Sequence, residues 1–226
     1  MKLSIIIPVY NEEDTIEESI KRVFEADVLD FEKEIIVIND GSRDNTSRIL
    51  ENIKSKFNFN LLNKTKNQGK GNAVKQGIEI ATGDYIIIQD ADLEYDPSDY
   101  KKMLEVLKTE KGAVFGTRNT QKREGGYYTY YLGGKILTLI FNIFFKTNLT
   151  DVMTCYKIFP AEFAKQNPTL SNGFEFEIEL AAKIAKQKIK ITEVPISYKP
   201  RNISQGKKIK FRDGIKSLAE IIKNRI

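Results

Sequence analysis

Tyr85-Ile-Ile-Ile-Gln-Asp90-Ala-Asp92-Leu-Glu94-Tyr-Asp-Pro97 joins a run of apolar β-formers to three acidic residues at two-residue spacing, Asp90, Asp92 and Glu94. The run predicts a strand over 85–89, and the carboxylates fall where it ends. Side chains two residues apart on an extended chain share a face about 6.6 Å apart. Asp92 and Glu94 are therefore expected to converge on a hard divalent cation, Mg²⁺ or Mn²⁺, leaving coordination sites for phosphate and water. That chemistry suits a nucleoside diphosphate. The competing reading is an acidic strand-to-helix turn, with Asp96 capping a helix that opens at Pro97. The rest of the chain decides between them.

Apolar runs without alternation recur at Leu3-Ser-Ile-Ile-Ile-Pro-Val9 and Glu34-Ile-Ile-Val-Ile38, the pattern of strands covered on both faces of a parallel sheet. Between them Ile16, Ile20, Val23 and Phe24 repeat at helical spacing behind Asp14 as a cap. A second helix is predicted from near Asp44, with Ile49, Ile53 and Phe57 on one face. A weaker strand over 58–62, helices over 69–81 and 97–108, and a strand over 113–116 follow. This alternation predicts a Rossmann-like, doubly wound α/β sheet. Ligands of such open sheets bind beyond the carboxyl ends of the strands. Tyr10-Asn11-Glu12, Asn39-Asp40-Gly41-Ser42 and Asp90-Ala91-Asp92 all fall there, so three polar turns share one edge.

Gly69-Lys70-Gly71 stands before a helix but is not a phosphate loop, because Gly71 occupies the position where Ser or Thr must follow the Lys. Nor is it a dinucleotide fingerprint, since Val74 replaces the third small residue. The glycines read as allowing tight helix packing, and Lys70 as a candidate phosphate contact. Past Arg118 a loop with Gly125 and Gly126 leads into an aromatic and aliphatic segment, 127–145. Its apolar part, 136–145, is shorter than the roughly 20 residues that span a bilayer. It suits either a membrane surface or burial against the domain or a partner. A helix over 173–186, a strand over 189–198, a basic loop over 199–208 and a terminal helix complete the chain. Gly206 among several cations suits a loop that folds over a bound diphosphate.

The 226 residues, 41% of them hydrophobic, fit one α/β domain with a real core. Histidine is absent, which removes the commonest general base and every histidine-ligated zinc site. One cysteine, Cys155, excludes an internal disulfide and a thiolate cluster. The start shows no signal-peptide pattern, so a cytoplasmic location is expected. The net charge of +5, with Lys and Arg gathered over 183–225, points to an anionic partner.

Taken together, Ile7-Pro8-Val9-Tyr10-Asn11-Glu12, Asn39-Asp40-Gly41-Ser42, Asn67-Gln-Gly69-Lys-Gly71 and Asp90-Ala-Asp92-Leu-Glu94 resemble, in order and spacing, the family 2 glycosyltransferases. The likeness is nearest to the dolichyl-phosphate mannose synthase branch and its bacterial polyprenyl-phosphate relatives. It extends through Gly116-Thr-Arg118 to Arg201 and Gly206-Lys-Lys208. The resemblance implies a GT-A fold with a nucleotide-sugar half, 1–118, and an acceptor-side half, 119–226. It implies that Pro8, Tyr10 and Glu12 border base and ribose, that Ile38 and Asp40 contact the base, and that Asp90 and Ala91 approach ribose and phosphate. Asp92 and Glu94 would hold the metal, and Arg118, Arg201, Lys207 and Lys208 would offset charge on the departing nucleoside diphosphate.

The implied acceptor is a polyprenyl or dolichyl phosphate, reached from the cytoplasmic membrane face by a peripheral protein, alone, as a homo-oligomer or through a membrane-protein partner; nucleic acid is not expected. An ionised phosphate oxygen attacks without a general base. A hydroxyl acceptor, such as a diacylglycerol, a saccharide or a protein, needs one, and Asp151 and Glu175 are the candidates. Asp151 reads equally as a turn residue and Glu175 as a helix N-terminal charge. The chain has no Trp and no Gln-x-x-Arg-Trp sequence, which disfavours processive synthesis. A sugar-phosphate nucleotidyltransferase would open with a glycine-rich loop where Pro8-Val-Tyr-Asn-Glu12 stands, and a non-catalytic sensor has no need of the acidic set.

Overall fold

The computed structural model describes residues 1–118, 128–201 and 211–225. Gly125, Gly126, Tyr127, Gly206, Lys207 and Lys208 lie outside them. Among the described residues seven strands form one sheet in the order β3-β2-β1-β4-β6-β5-β7. These are β1 Lys2–Val9, β2 Glu32–Asn39, β3 Asn60–Asn63, β4 Tyr85–Ile88, β5 Ala113–Thr117, β6 Lys157–Pro160 and β7 Ile191–Pro195. β3, β2, β1 and β4 run parallel, β6 is antiparallel to both β4 and β5, and β7 is parallel to β5.

The unalternating apolar runs are buried on both faces, as their pattern requires. Leu3, Ile5 and Ile7 of β1 pack with Ile16, Ile20 and Val23 of α1 (Ile16–Glu25), Leu50 and Ile53 of α2 (Thr46–Phe57) and Met103 and Leu107 of α4 (Tyr100–Glu110). Ile6, with Ile36 and Ile38 of β2, faces the opposite layer. The same apolar cluster takes in Ala73 and Val74 of α3 (Lys70–Ile80), Phe141 of α5 (Tyr128–Phe145), Phe163 of α6 (Ala161–Gln166), Phe176 of α7 (Phe176–Lys186) and Ile221 of α8 (Phe211–Arg225). Each such side chain, fully buried, contributes about 1.5–3 kcal/mol.

Several boundaries differ from expectation for local reasons. Asp14 does not cap α1, which opens after Thr15; Thr15 Oγ1 donates to Glu12 Oε2 at 2.9 Å instead. Phe24 is 47% exposed and meets Phe57 edge-on rather than the core. β3 starts two residues late because Asn58 turns left-handed, φ 43°, to close α2. Asp96 does cap the turn at Pro97, accepting from Ser98 N at 3.0 Å. β6 and α6 were not anticipated, and β7 is shorter than 189–198. In α5, Leu137 and Phe141 are buried while Leu132, Ile136, Leu139 and Ile143 are exposed. No helix among the described residues is long and apolar enough to cross a membrane.

Candidate active site

The carboxyl ends of β1, β2 and β4 open onto a cavity of about 450 Å³. Pro8, Tyr10 and Glu12 line it from the end of β1, and Asp40 from the end of β2. Asp90, Ala91, Asp92 and Glu94 line it beyond β4, Lys70 at the start of α3, and Arg201 from the C-terminal segment. Ile38, Arg118, Asp151 and Glu175 do not line it. Ile38 is fully buried in the core. Among the lining residues that sequence reasoning missed are Tyr95, Cys155, Phe174 and Tyr198.

Asp40 is held by the loop it faces. Its carboxylate accepts from Gln68 N, Gly69 N at 2.8 Å and Lys64 Nζ, which ties the segment before α3 to the end of β2. Gly41 takes φ 71°, and a Cβ there would lie 2.5 Å from Lys66 C, so the turn requires glycine. The α3 entry is equally tight. Gly71 N and Asn72 N donate to Asn172 O at 2.8 and 3.3 Å, and a Cβ on Gly69 would meet that oxygen at 2.3 Å. These glycines let a neighbouring loop close over the helix end, which spends its amides on a protein carbonyl.

Asp92 and Glu94 come together through a turn, not the extended chain that the spacing suggested. Leu93 is left-handed, φ 62°, and Asp92 Oδ1 accepts from Glu94 N at 3.1 Å. Tyr95 bridges Tyr198 as an antiparallel pair, and Lys199 N donates to Glu94 O at 2.8 Å. This pairing delivers Arg201 to the acidic turn. Its guanidinium donates to Asp92 Oδ2 at 2.9 Å and to both Glu12 oxygens at 3.0 and 3.3 Å. Glu94 accepts from Tyr198 OH at 2.7 Å and Arg201 N at 2.9 Å.

The electrostatics are unbalanced towards acid. Burial first, then the charges of Asp90 and Glu94, push Asp92 up to about 7 against the pull of Arg201. Among the described residues Lys70 and Arg201 are the cations that pair with Glu12, Asp90, Asp92 or Glu94 in this wall. Among the described residues no three acidic or thiol groups already surround one point. The carboxylate oxygens and their negative charge nonetheless fit a hard divalent cation, which Asp92 and Glu94 would hold.

Lys70 faces inward. Its ammonium lies 2.5 Å from Asp90 Oδ1, 3.1 Å from Cys155 Sγ and within 6 Å of the Phe174 and Phe176 rings. Burial opposes its charge, but Asp90, then Cys155 and Glu177, outweigh burial and hold its pKa well above the ordinary value. Arg118 sits behind Tyr198, 5.0 Å from its ring centre, and grips Asp151 through Nε and Nη2 at 2.7 and 2.8 Å. Burial pushes Asp151 up, but Arg118 overrides it and holds the carboxyl below its usual range. Glu175 precedes α7 and accepts from Gly173 N at 3.2 Å.

Residues 4–167 match the family Glycosyl transferase family 2. The chain is 30% identical to dolichyl-phosphate beta-glucosyltransferase of Dictyostelium discoideum, over 99% of this chain and 73% of that protein. It is 33% identical to the dolichol-phosphate mannosyltransferase of Pyrococcus furiosus over 60% of this chain, but that match spans only 35% of the relative's length. A similar solved structure is glucosyl-3-phosphoglycerate synthase of Mycobacterium tuberculosis in complex with Mn²⁺, uridine diphosphate and phosphoglyceric acid. Its TM-score is 0.75 at 18% identity, covering 99% of this chain and 78% of that one. That likeness is one of fold.

Proposed function

The chain belongs to glycosyl transferase family 2 and is a glycosyltransferase of GT-A fold, and from that premise we propose that it moves a hexosyl group, with inversion, from a UDP- or GDP-linked donor to a polyprenyl or dolichyl phosphate. The observation that carries this reading is the cavity itself. The three polar turns predicted to share an edge line one space with Arg201, and that space is rich in carboxylate oxygen. In this reading Pro8, Tyr10, Glu12 and Asp40 receive base and ribose, with Ile38 behind them in the sheet. Asp90 and Ala91 meet the ribose and the diphosphate, and Asp92 and Glu94 hold Mg²⁺ or Mn²⁺.

A cation held there would supply Lewis-acid neutralisation of the diphosphate as the glycosidic bond breaks. Arg201, now paired with the carboxylates, is the side chain within reach of that diphosphate, and its role is to offset leaving-group charge. Lys207 and Lys208, farther along the sequence, are assigned the same role from the family resemblance. Arg118, behind the cavity wall, keeps Tyr198 of that wall and Asp151 in position. Neither Asp151, committed to Arg118, nor Glu175 lines the cavity. In this reading the acceptor's attacking oxygen is already ionised, and neither residue is asked to act as a general base.

The names of the Dictyostelium and Pyrococcus relatives support a lipid-phosphate acceptor, and the mycobacterial complex supports a divalent metal beside a nucleoside diphosphate. The test begins with thermal shifts for UDP- and GDP-sugars with Mn²⁺. The stabilising donor is then assayed with polyprenyl phosphate and, separately, with diacylglycerol. Transfer to the phosphate and not to the hydroxyl is expected; the reverse, or donor binding indifferent to metal, overturns the reading.

A further inference from the structure

Four charges of alternating sign run from the cavity wall into the core: Asp90, Lys70, Glu177 and Lys157. They come from the turn after β4, the first turn of α3, α7 and β6. At the inner end Lys157 is fully buried, donates to Thr154 O and pairs with Glu177 Oε2 at 2.8 Å. At the outer end Lys70 rests on Asp90. Between them Glu177 Oε1 accepts no hydrogen bond among the described residues, although its side chain is only 4% exposed, and it stands 3.6 Å from Lys70 Nζ. A buried carboxylate oxygen without a donor is costly.

We propose that Glu177 is a positioning residue for the donor: Lys157 locks its Oε2, and its Oε1 is the second seat of the Lys70 ammonium, taken when Asp90 turns from Lys70 to the ribose hydroxyls of a nucleoside diphosphate. This rests on the donor reading of the cavity. Lys70 rests on Asp90 Oδ1 in this state, and an Asp90 carboxylate that turns to the ribose releases Lys70, a buried cation that then needs another carboxylate. Glu177 removes that cost, because a shift of under about 1 Å along a flexible four-carbon stem brings Nζ to hydrogen-bond distance. The chain of alternating charges stays neutral throughout the exchange, which gives the buried Lys157 its purpose: it holds Glu177 Oε2 so that Oε1 faces Lys70.

UDP and GDP, each with Mn²⁺, are titrated by calorimetry into wild type, Glu177→Gln, Glu177→Asp and the paired variant Lys157→Met with Glu177→Gln. The paired variant removes both buried charges together and strands neither. It is expected to melt near wild type, to bind nucleotide about ten-fold more weakly, and to raise donor KM with little change in kcat. Glu177→Asp, which keeps the charge between the two lysines, restores most of the affinity. In a crystal of the wild-type nucleotide complex, Lys70 Nζ lies within about 3.2 Å of Glu177 Oε1 and apart from Asp90; this measurement decides if the variants do not fold. Lys70 still on Asp90 in that complex, or a folded paired variant with wild-type affinity, overturns the inference. Wild type that binds neither nucleotide sinks the donor reading itself, and this inference with it.

Discussion

One guanidinium serves three carboxylates in this site. Arg201 bonds Glu12 and Asp92, and its Nε stands 3.8 Å from Glu94, so it occupies oxygens that a divalent cation would need. Arg201→Ala is therefore expected to tighten Mn²⁺ binding to the nucleotide-free protein, about ten-fold for a competing contact near 1.4 kcal/mol, while lowering sugar transfer. Electron paramagnetic resonance of free Mn²⁺ reads this directly; weaker binding in the variant would mean that Arg201 does not compete. Asp92→Ala should abolish metal-dependent donor binding with little loss of melting temperature, because it removes one of three crowded like charges rather than packing. A large drop in melting temperature would make Asp92 structural. Asp90, Asp92 and Glu94 were legible because each follows an apolar run at a strand end. Tyr198, Cys155 and Glu177 were not, because their partners lie far along the chain: Tyr198 meets Glu94 across 104 positions and Cys155 meets Lys70 across 85.

The elements divide in the same way. β1 and β2 each carry an unbroken apolar stretch, Ile5 to Ile7 and Ile35 to Ile38, and could be read as buried strands, whereas β6 is four residues long and opens with Lys157, a charge no apolar pattern places in a core. The Glu177 pairing, contributed by α7, and the bond to Thr154 O compensate that burial. The join between β5 and the segment leading to β6 relies on a second such pair, Arg118 with Asp151. Because the folded-state carboxyl of Asp151 is held below its usual range, its stabilisation is complete above the unfolded pKa near 4 and is lost as pH falls through the lower folded value. Asp151→Asn should cost about 3 kcal/mol at pH 7, with the gap to wild type narrowing below about pH 4. Urea melts at both pH values measure it, and a gap that does not depend on pH would mean that the ion pair is not its source. Arg118→Ala leaves the same carboxyl unpaired and should lose stability as well as turnover.

Across the whole molecule, fold class followed from strand and helix alternation, but the outer surface depends on which faces the layers leave open. α8 packs along α5, and the pair presents a surface that is apolar and basic. α5 exposes Leu132, Ile136, Leu139 and Ile143 by 45% to 68% and contains no acidic residue. α8 exposes Ile215 and Ile222 among Arg212, Lys216, Lys223 and Arg225; of its two acidic residues Asp213 is half-buried and Glu220 is buried and paired with Lys223. Apolar side chains rimmed by cations suit an anionic bilayer, to which each surface cation adds about 1 kcal/mol and each inserted side chain adds its apolar area. A peripheral enzyme would meet a polyprenyl phosphate on such a surface. Leu139→Glu with Ile143→Glu is expected to abolish binding to phosphatidylserine vesicles at low salt, leaving melting temperature and transfer to a short, water-soluble prenyl phosphate unchanged. Wild-type binding should itself weaken as salt screens the basic rim. Vesicle binding that survives the double substitution, or wild type that stays unbound at low salt, would remove this face from any account of how the enzyme reaches a lipid.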